Sequence, residues 1–160
     1  MQRRSLTRFF LLMAIVVGLG PLSLVRGAPF PPPARAQMIL EEYLQRTEET
    51  LEWAQSEIGL ETELAIADIF LTAELGGSPK QLKKIASNAK KTNKGIAGTA
   101  QREFNRINGG GLIDLLRAQA SRSQTARLRT AVSLATKELK VSVNEAAALL
   151  DAAVAEASAP

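Results

Sequence analysis

The chain contains neither cysteine nor histidine, and aromatic residues account for only 4% of its 160 positions. The absence of cysteine excludes disulfides, thiol nucleophiles and the lipid-attachment residue of bacterial lipoproteins. Without either residue, the chain also lacks the usual ligands of zinc and every catalytic triad that depends on imidazole. The groups left for catalysis are carboxylates, lysines, hydroxyls and a single tyrosine. We therefore expect no enzyme, no metal site and no cofactor.

The composition favours helices over strands. Alanine, leucine and the charged residues that favour helices are plentiful, and no segment alternates apolar and polar residues as a half-buried strand does. The sequence predicts an all-α protein, a compact antiparallel bundle of about four to six helices. We expect residues 37–160 to form this bundle as a single domain, after a signal peptide in residues 1–36.

The first 36 residues have the three parts of a secretory signal peptide. A basic start is followed by an apolar run over residues 11–25 and by a proline-rich stretch that ends in small residues around Arg35. Cleavage is expected after Ala36, with Gly27 as the alternative position. The protein is therefore expected to be exported to the periplasm or an equivalent lumen, or to be secreted.

The basic start also resembles a twin-arginine signal. The resemblance covers residues 3–8, which read RRSLTR, and it implies transport of an already folded protein. Gln2 and Thr7 depart from that pattern, and adjacent arginines are common in ordinary signal peptides. We therefore favour the Sec route over the twin-arginine route.

The net charge changes sign when the leader is removed. The whole chain carries +4, and the leader holds five arginines and no acid, so residues 37–160 carry −1. The remaining charge is segregated, with ten acids and one base in residues 37–76 and fourteen bases and three acids in residues 77–140. Such segments are expected to lie side by side. A nearly neutral product gives no reason to expect nucleic acid as a partner.

Residues 38–76 have a helical pattern in two phases. The first phase is a heptad seam that runs from Leu40 to Ile58, and Gly59 interrupts it, so that this stretch is either one kinked helix or two. The second phase is a new seam, which we expect to lie in the core of a central helix that ends at Gly76 and Gly77. Its residues are Leu60, Leu64, Ala67, Leu71 and Leu75.

A lysine-rich helix follows. Ser78 is a suitable N-cap, Pro79 suits the first helical position, and Gln81 completes a capping box, so we expect a helix over residues 79–94 that stops at Gly95. Six lysines occupy one arc of this helix, opposite a thin apolar face. They are Lys80, Lys83, Lys84, Lys90, Lys91 and Lys94.

The rest of the chain is expected to contain further helices separated by a loop. The loop is placed at residues 108–111, which read NGGG. Residues 112–140 form one long helix or two, and Ser142 opens the last helix through a second capping box with Glu145.

Two functions are compatible with these features. The first is an exported, non-enzymatic protein that binds another envelope or lumenal protein as a structural subunit, assembly factor or adaptor, with self-association possible. Arg46 and Trp53 are candidate contacts, because both residue types are enriched at interface hot spots. The alternative is a binder of an anionic surface (lipid headgroups, acidic polysaccharide or nucleic acid) through the six lysines, and we expect such binding to be weak.

Overall fold

The computed structural model describes residues 32–159, which fold into three long helices. Helix α1 spans Pro32–Glu74, α2 spans Pro79–Arg117 and α3 spans Arg122–Ala157, and no strand occurs within this range. The all-α prediction is confirmed, but the described part of the chain has three helices where four to six were expected. Most of the expected signal peptide, residues 1–31, lies outside the described residues, and its last five residues are the start of α1.

The helices are fewer because the expected breaks do not occur. Gly59 lies within α1, and Gly95 and residues 108–111 lie within α2, so the predicted stop and the predicted loop were both wrong. Ser142 likewise lies inside α3 instead of opening a helix. A glycine in a helix interior costs only about 1 kcal/mol relative to alanine, which tertiary packing readily offsets.

The first connection has the local chemistry that the sequence indicated. Gly76 adopts a φ of 78°, and the Gly77 N–H donates to the Thr72 carbonyl at 2.8 Å, which closes the last turn of α1. The N–H of Ser78 then donates to the Gln81 side chain at 2.7 Å at the start of α2. A left-handed glycine followed by a capping box therefore turns the chain within four residues.

The second connection, whose position was not predicted, repeats this arrangement without glycine. Gln119 adopts a φ of 56°, and the Ala120 N–H donates to the Leu115 carbonyl at 2.9 Å. Ser121 then caps α3, because its side chain accepts from the Gln124 N–H while its own N–H donates to the Gln124 side chain at 2.9 Å. The stretch predicted as one helix or two over residues 112–140 is therefore divided between α2 and α3.

Polar contacts between the helices define their relative directions. α1 and α3 are parallel, since two hydrogen bonds, Gln37 to Gln124 and Gln55 to Ser142, join residues with the same separation of 87 positions. α2 runs antiparallel to both, as expected for helices joined by short connections. The contacts that show this are Tyr43–Asp114, Arg46–Glu103, Thr62–Asn93 and Lys90–Asp151.

The core divides into two clusters, one at each end of the bundle. The Tyr43 end (residues 32–58 and 96–146) contains large side chains, among them Phe104, Ile107 and Leu128, all fully buried. The Leu64 end (residues 59–95 and 147–157) has a smaller core in which alanines are half of the buried residues. Its buried members are Ala65, Ile69, Leu82, Ala86, Ala89, Leu150, Ala153 and Val154.

At the Tyr43 end, Gly111 is needed for close packing. It is buried, and a Cβ at this position would lie 2.6 Å from a Leu128 methyl carbon and 3.0 Å from the Tyr43 ring. The Tyr43 hydroxyl reaches past this glycine and donates to Asp114 at 2.6 Å. The glycines predicted as a loop instead allow the Tyr43 ring to pack directly against α2.

Candidate interaction surfaces

The second apolar seam of α1 is a surface feature. Leu60, Leu64, Leu71 and Leu75 are 54%, 59%, 55% and 79% exposed, so their predicted place in the core was wrong. The core face continues instead through Ile58, Thr62, Ala65 and Ile69, and each leucine at 60, 64 and 71 follows a core residue by two positions. Two positions correspond to a rotation of about 200°, which turns these leucines away from the bundle.

We call these four leucines the leucine stripe. Leu75 is the first residue after α1, and its N–H still donates to the Leu71 carbonyl at 3.1 Å. With helical geometry, the four leucines lie within an arc of about 60° and extend for about 22 Å. Contiguous exposed apolar side chains on an otherwise polar surface mark sites of protein or membrane contact, whereas single exposed leucines need no explanation. The stripe is therefore a stronger candidate site than any residue selected from the sequence.

Carboxylates border the leucine stripe on both sides. By helical position, Glu57, Glu61 and Asp68 follow one edge, and Glu63 and Glu74 follow the other. No base occurs between Arg46 and Lys80. Among residues 32–159, none of the α1 carboxylates has a lysine or arginine nitrogen within 4.0 Å. The stripe is thus an apolar surface flanked by carboxylates, and no ion pair within the described bundle neutralises their negative charge.

The lysine face of α2 is mostly free within the described part of the chain. Lys90 donates to Asp151 of α3 at 2.6 Å, while Lys80, Lys83, Lys84, Lys91 and Lys94 are exposed and have no carboxylate partner there. Lys83, Lys90 and Asp151 line a shallow groove between α2 and α3. The exposed residues among the lysines are polar: Gln81, Ser87, Asn88 and Thr92.

The acidic and basic segments lie side by side, but among the described residues the acids of α1 are not paired with the lysines of α2. The cross-helix ion pair between α1 and α2 joins Arg46, the one base of the acidic segment, to Glu103 at 2.7 Å. Exposed pairs of this kind contribute about 0–1 kcal/mol each. The acids of α1 and most lysines of α2 therefore face the surroundings and do not neutralise one another.

Arg46 and Trp53 lie on the side of α1 that adjoins α2. The Arg46 guanidinium is held by Glu103 and lies 5.7 Å from the centre of the Tyr43 ring, so its charge is already engaged. Trp53 is 42% exposed and lines a groove together with Glu103 and Ala100 of α2. Trp53 also falls at the angular position of the leucine stripe, two turns before Leu60.

Tyr43 has a perturbed pKa, although it does not belong to an exposed surface. The hydrogen bond to Asp114, followed by burial and by the nearby Asp114 charge, raises the pKa of Tyr43 above its ordinary value. These causes all favour the neutral phenol, which donates to the carboxylate. The arrangement joins α1 to α2 and offers no free nucleophile.

Residues 32–159 contain neither a cluster of metal-binding side chains nor a helix that could span a membrane. No group of three or more carboxylates is placed where it could hold a metal ion. Within the same range, no helix has both the length and the apolarity needed to cross a membrane.

Comparisons of the chain with protein-family models, with curated proteins and with solved structures found no match.

The leucine stripe could have been identified from the sequence by a different weighting of the same residues. The core spacing continues past Ile58 through Thr62, Ala65 and Ile69, of which Thr62 is more polar and Ala65 smaller than the leucines. Side-chain size was therefore a misleading guide to burial in this half of α1.

Proposed function

We propose that this chain is an exported, non-enzymatic helical bundle that binds another protein of the envelope or lumen as a structural subunit, assembly factor or adaptor. The observation that carries the proposal is the leucine stripe of α1, with four leucines each more than half exposed. Exposing such a row to water is unfavourable, since complete burial of a leucine is worth about 1.5–3 kcal/mol and a partner would cover the half or more of each side chain that is still exposed. A protein partner is the covering that a rigid apolar helix face fits best.

The export part of the proposal is supported by the basic, apolar and small-residue pattern of the leader. The fold bears on the two cleavage positions. Ala36 is fully buried inside α1, so cleavage after Ala36 would remove the first five residues of this helix. Cleavage after Gly27 would keep α1 whole, and we propose Gly27 as the cleavage position in the folded product.

The alternative function, binding of an anionic surface through the helix over residues 79–94, is favoured by five lysines without a carboxylate partner among the described residues. It is weakened by the polar residues between them, because membrane-binding helices bring large apolar side chains to the contact. The lysine face also lacks aromatic residues on which bases could stack.

Site-specific photo-crosslinking in the cells that encode the protein tests the proposal. A photoreactive amino acid is placed at Leu64 in the stripe, at Lys84 in the lysine face, or at the exposed Arg129 of α3 as a matched control. We expect one discrete protein adduct from position 64 in the envelope fraction and none from position 129. Adducts from position 84 alone would favour the anionic-surface alternative, and no adduct from either face would contradict both.

Deletion of residues 1–27 tests export in the same cells. Because this deletion removes the leader and leaves α1 intact, we expect the shortened chain to remain in the cytoplasm and to lose the adduct at position 64. An unchanged location after the deletion would contradict export by this leader.

A further inference from the structure

We infer that the leucine stripe takes an amphipathic helix of another protein whose apolar face is flanked by lysine or arginine. The inference rests on the proposed function and specifies the chemistry of the partner. The stripe is about 22 Å long, which matches four turns of helix. Helix-to-helix docking uses anchors at spacings of three, four and seven residues, and the stripe presents leucines at 60, 64, 71 and 75.

The charges beside the stripe select the sign of the partner. Glu57, Glu63 and Asp68 are exposed and, together with Glu61 and Glu74, flank the leucines without an ion-pair partner among residues 32–159. A basic helix would place its cations next to these carboxylates. Complementary charge of this kind accelerates association and excludes partners of the wrong sign.

A second copy of this chain fits the stripe poorly. Packing stripe against stripe would bring five carboxylates of one copy against the same five of the other, and the repulsion would oppose the contact. The lysine face of α2 in a second copy has the right charge, but its exposed residues are polar and would leave the leucines uncovered. The two surfaces of one chain therefore do not complete each other.

Anionic membranes are excluded by the same carboxylates. Helices that lie on such membranes have basic residues beside their apolar face, whereas the stripe has five acids and no base. The leucines and the carboxylates beside them thus indicate a basic amphipathic helix and disfavour both a lipid surface and self-association.

Peptide titration provides the test. The chain from Ala28 onward, which keeps every described residue, and the full chain are each titrated with a peptide of leucine and lysine alone, about 18 residues long to match the stripe. A peptide in which glutamate replaces every lysine is the matched control. Calorimetry measures affinity and stoichiometry, and the fluorescence of Trp53, the one tryptophan of the chain, reports on contact at this face.

We expect saturable binding of one lysine peptide per chain that weakens as salt is added, and binding about tenfold or more weaker for the glutamate peptide. Leu64→Gln with Leu71→Gln should abolish binding, and Glu63→Gln with Asp68→Asn should weaken it. Glu41→Gln with Glu48→Gln, which changes acids remote from the stripe, should leave binding unchanged.

Three results would overturn the inference: no saturable binding of the lysine peptide, equal binding of both peptides, or self-association of the chain that buries Trp53 without peptide. The proposed function fails separately, through the absence of crosslinks from position 64 in cells. Crosslinks from that position without peptide binding would defeat the basic-helix inference alone.

Discussion

The two ends of the bundle are built differently, although the same three helices pass through both. The Tyr43 end has a core of large side chains and joins its helices through Tyr43–Asp114 and Arg46–Glu103. The Leu64 end has a smaller core in which alanines are half of the buried residues, and its α1 leucines lie on the outside while Leu82 and Leu150 are buried. In α1, the large leucines of this end are therefore on the surface, whereas Leu40 at the Tyr43 end is fully buried.

This difference has a physical basis in the available space. Protein interiors are packed without voids, and the alanines at 65, 86 and 153 leave less space between the helices than large side chains would, so this core accommodates few large residues besides Ile69, Leu82 and Leu150. Leucines in this part of α1 contribute little to folding and are free to serve a partner. The Tyr43 end, by contrast, must supply most of the burial that stabilises the bundle.

The largest contrast is expected between a buried and an exposed apolar residue. Phe104→Ala at the Tyr43 end removes a fully buried ring, and we expect a loss of about 3–5 kcal/mol in the free energy of unfolding. Leu64→Ala should change the same quantity by about 0.5 kcal/mol or less, because the side chain is 59% exposed. Urea unfolding of both variants measures this difference. Equal losses of unfolding free energy would show that Leu64 is as important to the fold as Phe104, which would contradict its assignment to the surface.

Two glycines of the same helix should respond in opposite directions. Gly111→Ala forces a methyl against Leu128 and Tyr43, and overpacking of this kind costs about 1–3 kcal/mol. Gly109→Ala should stabilise by about 1 kcal/mol, since no atom lies within 4 Å of the added carbon and alanine favours the helix. Thermal unfolding checks both, and stabilisation by Gly111→Ala would show that the Tyr43 packing is loose.

The two connections should also differ in strain. Gln119 holds a left-handed conformation that glycine adopts freely, so Gln119→Gly should stabilise the protein by about 1 kcal/mol. Gly76→Gln, the reverse change at the other connection, should destabilise it by a similar amount. If Gln119→Gly instead lowers stability, the contacts of the glutamine side chain must stabilise the fold by more than the left-handed backbone conformation costs.

The smallest effect is a pH dependence confined to the Tyr43 end. Because the pKa of Tyr43 is raised in the folded chain, its contribution to stability is complete below the ordinary value of about 10 and is lost as pH rises through the folded pKa. Absorbance titration of the single tyrosine should show a midpoint above 10, and Asp114→Asn should lower it. Tyr43→Phe should remove this part of the alkaline loss, whereas an unshifted midpoint would disprove the Tyr43–Asp114 contact.

Much of the fold could be predicted from local chemistry, and the failures have identifiable causes. The connection at Gly76 was predicted because glycine and a capping box coincide there, whereas the connection at Gln119 was missed because a glutamine takes the left-handed position. The capping box of Ser121 and Gln124 is visible in the sequence and could have predicted the start of α3. The loop assigned to residues 108–111 was wrong because Gly111 is held in the helix by packing against Tyr43, a contact distant in sequence.

The site was predictable only in part. The sequence placed the six lysines of α2 on one arc of a helix without deciding whether they are paired within the chain, and five of the six are exposed. Both faces of α1 were present in the sequence, and the core spacing continues through Thr62, Ala65 and Ile69, but the larger leucines were given more weight. The face that is buried depends on the small residues contributed by α2 and α3, so the leucine stripe is a consequence of tertiary packing.

Urea unfolding of the variant with glutamine at positions 60, 64, 71 and 75 tests most directly whether the leucine stripe serves binding and not folding. If the stripe faces outward, the free energy of unfolding stays within about 2 kcal/mol of the parent, since exposed substitutions change it by about 0.5 kcal/mol each. If these leucines belong to the core, each replacement costs about 2–5 kcal/mol and the variant does not fold. The second result would contradict the stripe as a partner surface.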